Sequence, residues 1–189
     1  IERDEILQLE PNTNPEVVCA LLEPMSGLTS PYELTCALAD HAANKGFQVY
    51  LCGGPAKLER DLAADIQRRS QSKPVDLVGQ TNLKQLLALI KEASLVLAPD
   101  TGPTHMATLT GTPVIGLYAH HNPDRTGPYL CRAHAVSVYQ ELIEQETGKP
   151  LAALDWRTRL KDPDAMRKIT SERVIAAFDR LCAERQLPG

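Results

Sequence analysis

The chain has 189 residues, of which 43% are hydrophobic, 23% charged and 4% aromatic, with a formal net charge of -4. That length suits one domain around a single, mainly aliphatic core, and the mildly acidic balance offers no general field for attracting nucleic acid. Five cysteines, Cys19, Cys36, Cys52, Cys131 and Cys182, are odd in number, widely spaced and without a CxxC pair, which argues against a disulfide framework and against a zinc site and fits reduced thiols in a cytosolic compartment.

No stretch approaches the ~20 apolar residues of a membrane span, and no signal peptide is visible. The chain opens on Ile1, and the expectation is a processed chain, an excised domain or a fragment. Residues 1–16 read as a linker or leading arm, followed by one domain over 17–189.

Val17 to Leu22 is an apolar run of strand length, closed by Glu23-Pro24 and the loop Met25 to Ser30. Ser30, Pro31 and Glu33 then carry the signature of a helix start, a cap, a proline in the first turn and an acid three residues after the cap. Leu34, Ala37, Leu38, His41 and Ala42 follow at core-facing helical spacing, and Gly46 ends the helix. Phe47 to Cys52 is a second strand, broken by Gly53-Gly54-Pro55. Ala56 to Arg69 reads as an amphipathic helix with Leu58, Leu62 and Ile66 on its inner face. A short third strand spans Val75 to Val78, and Thr81 is expected to cap a helix whose inner face is Leu83, Leu86, Leu87 and Ile90. Leu95 to Ala98 is the fourth strand, turning at Pro99-Asp100-Thr101-Gly102 into a short helix through His105 to Leu109. Gly111-Thr112-Pro113 leads into a fifth strand, Val114 to Tyr118, and Ala135 to Val138 supplies a sixth. Residues 139–170 read as a polar, irregular surface excursion with Trp156 as a packing anchor. The last helix runs from about Ser171 to Glu184, with Val174, Phe178 and Leu181 inward. Cys19, Cys36 and Cys52 fall inside apolar patterns and read as packing residues.

Strands alternate with helices, and several strands are continuous apolar runs, which predicts a parallel sheet covered on both faces. The fold class is α/β, an open, doubly wound sheet of Rossmann type. In such sheets ligands bind beyond the carboxyl ends of the strands, and Asp100 to His105 is the segment best suited to it. Gly102 admits close approach to the backbone. Pro103 opens the helix where its missing N–H costs nothing. The free amides of the first turn carry the positive end of the helix dipole and suit a diphosphate, with Thr101, Thr104 and His105 as further donors. A D-T-G-x-x-H string by itself is equally a helix cap with a packed histidine; it is the order of strand, turn and short helix that favours a ligand site.

These residues carry a resemblance. Val78-Gly79-Gln80-Thr81-Asn82-Leu83, Asp100-Thr101-Gly102-Pro103-Thr104-His105, Gly111-Thr112-Pro113-Val114, Asn122 to Tyr129 and the ending Asp162-Pro163 with Ile169 to Val174 resemble the donor-binding domain of glycosyltransferase family 9, which includes the ADP-heptose:lipopolysaccharide heptosyltransferases. The resemblance implies half of a GT-B type enzyme in which two Rossmann-like domains face each other. It implies a metal-independent, inverting transfer of a heptose-like sugar from a nucleoside diphosphate, ADP by preference, to a lipid A/core-type saccharide of lipopolysaccharide. The acceptor domain and the general base are then expected outside this chain, in a cytoplasmic enzyme with at most peripheral contact at the inner face of a Gram-negative inner membrane.

The sequence also departs from that pattern. The loop Glu23 to Ser30 has no Lys or Arg, where the family carries a basic segment for the phosphates. After the second strand only Glu59 is available as an acidic ribose contact. After the fifth strand stands Ala119-His120-His121-Asn122 in place of a Gly-Pro or Gly-Ser and a Thr. Secondary donor contacts are therefore sought at Ser26, Gly27, Gly53, Gly54, Glu59, Thr81, His120, His121 and Arg125. His120 and His121 read equally as exposed loop residues. Arg125 either reaches a phosphate or pairs with an acid such as Asp124, and Met25 and Leu28 could line a nucleobase slot. Two rival readings use the same motif: a non-catalytic nucleotide-binding or assembly module, which the missing basic loop favours, and a nucleotide-sugar epimerase-like enzyme. A dinucleotide-dependent oxidoreductase is disfavoured because no GxGxxG follows the first strand.

Overall fold

The structure, a computed structural model, describes residues 17–21 and 31–187. The proposed leading arm, the Ser30 cap and the loop holding Ser26 and Gly27 lie outside them, as do Met25 and Leu28. Six strands, β1 (Val17–Leu21), β2 (Gln48–Cys52), β3 (Val75–Asp76), β4 (Leu95–Pro99), β5 (Val114–Tyr118) and β6 (Val136–Ser137), form one sheet in the order β3-β2-β1-β4-β5-β6. Every pairing is parallel. This is the doubly wound order with its reversal between β1 and β4, the position where ligands enter such sheets.

Seven helices accompany the strands among the described residues: α1 (Pro31–Asn44), α2 (Lys57–Arg69), α3 (Leu83–Glu92), α4 (Gly102–Thr110), the single turn α5 (Pro123–Thr126), α6 (Tyr139–Thr147) and α7 (Ser171–Arg185). Side chains alternate across the sheet as the pleat requires. Val49, Leu95, Ile115 and Leu117 pack on one face with Leu38 and Ala42 of α1 and with Val174, Phe178 and Leu181 of α7. Tyr50, Val96, Ala98 and Val114 pack on the other with Leu89 and Ile90 of α3 and Ala107 of α4. The terminal helix thus belongs to the same core as the first described one, and His41 and Asp179 join the two at 2.8 Å.

Several local expectations are corrected. Asn82, not Thr81, caps α3: its side chain accepts the Lys84 and Gln85 amides while Gln85 reaches back to the Asn82 N–H, the reciprocal pattern of a capping box. Of the expected inner face of α3, Leu86 and Ile90 do pack against the core, but Ala88 and Leu89 join them and Leu83 is exposed. On α2 the buried residues are Glu59, Ala63 and Ile66, and Leu58 points outward. Residues 139–170 are no loose excursion. They hold α6 and two 3-10 turns, and Tyr139, Ile143, Leu160, Ala165 and Ile169 are buried in the core of the α1/α7 face. Trp156 is exposed rather than an anchor. Of the cysteines read as packing residues, Cys52 is fully buried and Cys36 half-buried, while the side chain of Cys19 lies outside the described residues.

Asp40 of α1 holds the end of α2. Its carboxylate accepts from the Ser70 hydroxyl at 2.6 Å and from the amides of Ser72 at 2.8 Å and Gln71 at 3.2 Å. Burial alone would raise its pKa, but these donors pull it below the ordinary carboxylate range. A depressed folded pKa means that the stabilisation is present above the unfolded value and lost as pH falls through the folded one. Acid titration of stability is therefore expected to be shallower in Asp40→Asn than in the wild type below about pH 4. Superimposable acid limbs in urea unfolding would refute this.

Candidate functional site

The carboxyl edge of the sheet gathers the loops after β4 and β5. β4 and β5 run side by side, with Pro99 opposite Leu117, so Asp100 and the segment Ala119 to Asn122 start from neighbouring strand ends. β4 is also a neighbour of β1, which puts the Asp100-Thr101-Gly102 corner at the reversal point of the sheet.

Thr101 is the extended N-cap of α4, and its side chain makes no capping bond. Its hydroxyl oxygen is buried and has no hydrogen-bond partner among the described residues, a condition that native structures reserve for few groups. The Gly102 N–H makes no hydrogen bond to any described residue. Gly102 is exposed, and no atom of a described residue lies within 4 Å of where a Cβ would sit. Pro103 follows in the first turn. Among the described residues the corner is therefore open, with an unpaired amide at the positive end of a nine-residue helix.

Thr104 has a different part from the one expected. It is fully buried, its hydroxyl donates to the Pro99 carbonyl at 2.6 Å and its amide donates to the Thr101 carbonyl at 3.2 Å. Both of its donors close the turn, and neither is left for a phosphate. His105, one residue on, is exposed, and its ring has no partner among the described residues.

Asp100 ties the two loops together. Its Oδ2 accepts from the Thr126 hydroxyl at 3.0 Å and lies 3.0 Å from His121 Nδ1. Below this pair Tyr118 folds its ring back over Gly116, where a Cβ would come within 2.5 Å of ring carbon Cε2. Burial and the charge of Asp100 push the Tyr118 phenol well above its ordinary pKa, so the ring is a neutral floor. The phenol donates to the Thr126 carbonyl at 3.4 Å. Asn122 caps the α5 turn by accepting the Asp124 amide at 2.9 Å. Gly127 follows where a Cβ would strike the Pro123 carbonyl, the oxygen that the Gly127 N–H itself bonds at 2.7 Å. His120 is held to the later segment, its carbonyl accepting the Leu160 amide at 3.0 Å and its ring Nδ1 lying 3.4 Å from the Leu160 carbonyl. Arg125 is exposed and makes no ion pair with Asp124 or any other described acid.

The corner after β2 is turned inward. Glu59 is 8% exposed and takes the Gly54 N–H, and Gly53 accepts the Gly79 N–H at 3.0 Å. Glu59 is thus committed to its own turn, where a carboxylate at the start of α2 is favourable, and it does not present itself to a ribose. Thr81 is half-buried at the same sheet edge, beyond β3. A groove of about 360 Å³ runs between α5 and α6, but Asp124, Glu141 and Glu144 line it, and three carboxylates make it unsuited to an anion. No cluster of three His, Cys, Asp or Glu able to hold a metal ion occurs among the described residues, and no described helix is long and apolar enough to cross a membrane.

The structure thus brings Asp100, Thr101, Gly102, Pro103, His105 and His121 to one edge and keeps Glu59 apart. Two members of the site, Thr126 and Tyr118, were not singled out from the sequence. Thr126 lies 26 residues from Asp100, and no local spacing rule connects them.

Comparison with known proteins adds to this geometry. The family model for glycosyltransferase family 9 (heptosyltransferase) matches residues 33–170. The lipopolysaccharide core heptosyltransferase OpsX of Haemophilus influenzae is 46% identical over 144 residues, 76% of this chain and 42% of that protein. Among solved structures, E. coli ADP-heptose lps heptosyltransferase II aligns with a TM-score of 0.72 at 19% identity, over 98% of this chain and 53% of that one. E. coli heptosyltransferase WaaC with ADP aligns with a TM-score of 0.59 at 16% identity, over 92% and 45% respectively. The chain therefore spans about half the length of these relatives, and the two structural matches speak for the fold alone.

Proposed function

Because the chain belongs to glycosyltransferase family 9, we propose that it is the donor-binding half of an inverting heptosyltransferase of the GT-B type. In this reading ADP-heptose or a close analogue places its diphosphate on the Gly102 amide and the Thr101 hydroxyl. A lipid A/core-type saccharide of lipopolysaccharide is the acceptor. It binds a second domain that also supplies the general base, at the cytoplasmic face of the inner membrane. As the sugar leaves, negative charge grows on the diphosphate, and preorganised donors at that position lower the barrier without reorganising. The site works through the helix terminus and takes no metal.

The observation that carries this reading is the open corner at the reversal point of the sheet, with one buried hydroxyl and one amide unpaired among the described residues. The choice of sugar and base is supported by the relatives, several of which are lipopolysaccharide heptosyltransferases, and by a heptosyltransferase structure with ADP.

Titration calorimetry of the chain with ADP, UDP and GDP tests it. One ADP is expected to bind per chain, with an affinity unchanged by EDTA. Thr101→Val keeps the volume and removes the unpaired hydroxyl, so the free protein should melt no earlier, while ADP affinity falls by roughly tenfold. Folded protein that binds none of the three nucleotides would overturn the proposal, and a preference for UDP or GDP would keep the site and change the base.

A further inference from the structure

A diphosphate brings at least two negative charges, and one helix terminus supplies only about half a positive one. The loop after β1 contains Glu23 and no Lys or Arg, so within this chain the cationic groups to weigh are those elsewhere along the edge. Arg125 is exposed and held by no described acid, and His105 is exposed and has no partner among the described residues. His121 alone among these is bonded to the corner itself, through Asp100, the residue before Thr101.

The chemistry of that bond fixes the ring. Asp100 Oδ2 already accepts from the Thr126 hydroxyl, and an ionised carboxylate only accepts. The hydrogen between Asp100 and His121 therefore sits on Nδ1, and Nε2, on the far side of the ring, is the remaining site for a second proton. The carboxylate side chain is 18% exposed and the imidazole 34%, so the acid is sheltered and the ring reaches out to the edge. A carboxylate behind an imidazole orients it, selects its tautomer and stabilises its protonated form. The titratable groups on the segments that frame the ring are Asp100 of the β4 corner, Tyr118 of β5, His120 beside it, Asp124 and Arg125 of α5 and His105 of α4.

Resting on the donor-site reading above, we propose that His121, backed by Asp100, binds a proton at Nε2 when the nucleotide enters and donates it in a hydrogen bond to a non-bridging oxygen of the terminal phosphate. The His121 imidazolium then serves as the mobile positive charge facing the phosphate, and uptake takes the Asp100–His121 pair from one net negative charge to neutral. During transfer the bond between the anomeric carbon and the phosphate oxygen breaks with its electron pair left on that oxygen. The acceptor oxygen bonds to the carbon and gives its proton to the base of the other half. The imidazolium stays protonated and balances the charge that has moved onto the diphosphate.

The test is calorimetric titration of ADP into the chain at pH 7.5 in HEPES and in Tris, buffers whose different ionisation heats reveal proton uptake. The wild type is expected to take up a proton fraction on binding. His121→Asn keeps a donor for Asp100 but cannot be protonated; it should lose the uptake and bind ADP roughly tenfold more weakly, with unchanged melting. Imidazole NMR of the wild type gives an answer that needs no folded variant: the His121 ring should titrate at higher pH with ADP bound than without. Wild-type binding with uptake that persists in His121→Asn, or a His121 titration that ADP does not move, would overturn this inference and leave the donor site standing. A wild-type chain that binds no ADP would overturn both.

Discussion

Replacing Gly102 by aspartate is expected to lower ADP affinity on the order of 100-fold and to leave the domain at least as stable as before. The two effects have opposite signs because one charge acts on two partners. At the first turn of α4 a carboxylate faces the positive end of the helix dipole, worth about 0.3–1 kcal/mol, and loss of the glycine reduces the freedom of the unfolded chain by a similar amount. The side chain has room, since no atom of a described residue lies within 4 Å of its first carbon. Against a diphosphate the same carboxylate is a like charge. At 4 Å the repulsion is about 1 kcal/mol in water and about 4 kcal/mol at the effective dielectric of a protein surface, and each ~1.4 kcal/mol is tenfold in affinity. Gly102→Asn separates charge from bulk and should retain most of the binding. Calorimetry and thermal melting on the three proteins decide the matter. If Gly102→Asp binds ADP as the wild type does, the diphosphate is not held at this corner.

The largest loss of stability is expected from Phe178→Ala, about 3–5 kcal/mol. Phe178 is buried on α7 and meets Phe47 edge-on at 5.5 Å and the His41 ring at 5.7 Å. It is therefore the side chain through which the last helix packs on α1 and on the start of β2. Truncation removes the transfer energy of a ring and leaves a cavity that flanking helices fill only partly. Against a total stability of about 5–15 kcal/mol for a domain, that is roughly a fifth or more. The lost free energy should appear as a lower urea midpoint with a similar slope. A change below about 1 kcal/mol would mean that α7 is an appendage rather than part of the core.

Much of the fold was legible from local pattern. A continuous apolar run as short as Val114 to Tyr118, entered through Gly111-Thr112-Pro113, fits a strand buried on both faces, and β5 spans those residues. The last helix was equally legible, because Val174, Phe178 and Leu181 fall at helical spacing and all three are buried on α7; that Thr170 caps it, its hydroxyl accepting the Arg173 amide, came from the structure. Errors fell where two helical faces compete. Leu58 and Leu83 fit an apolar stripe by spacing, yet both face solvent, because the sheet selects the stripe holding Ala63 and Ile66 on α2 and Leu89 and Ile90 on α3. The segment 139–170 was misjudged for a related reason. Its polar residues outnumber its apolar ones, but Tyr139, Ile143 and Leu160 are the ones that find the core, and composition does not reveal which members of a mixed segment are inside.

The candidate site divides in the same way. By itself the sequence determined the order of the six strands and of the helices α1 to α4 and α7, the helix start behind Asp100-Thr101-Gly102, and a resemblance that the family match bears out, since each depends on residues close together along the chain. Only the tertiary structure decided which neighbours those residues acquired. The pairing of β4 with both β1 and β5 set the corner at the sheet's reversal point and brought His121 and Thr126 onto Asp100 from 21 and 26 residues away. The same packing turned Thr104 and Glu59 inward to bond their own turns. A hydroxyl or carboxylate in a sequence carries no mark of which acceptor or donor will face it. That is settled when strands align and a buried polar group must find a partner or be left without one.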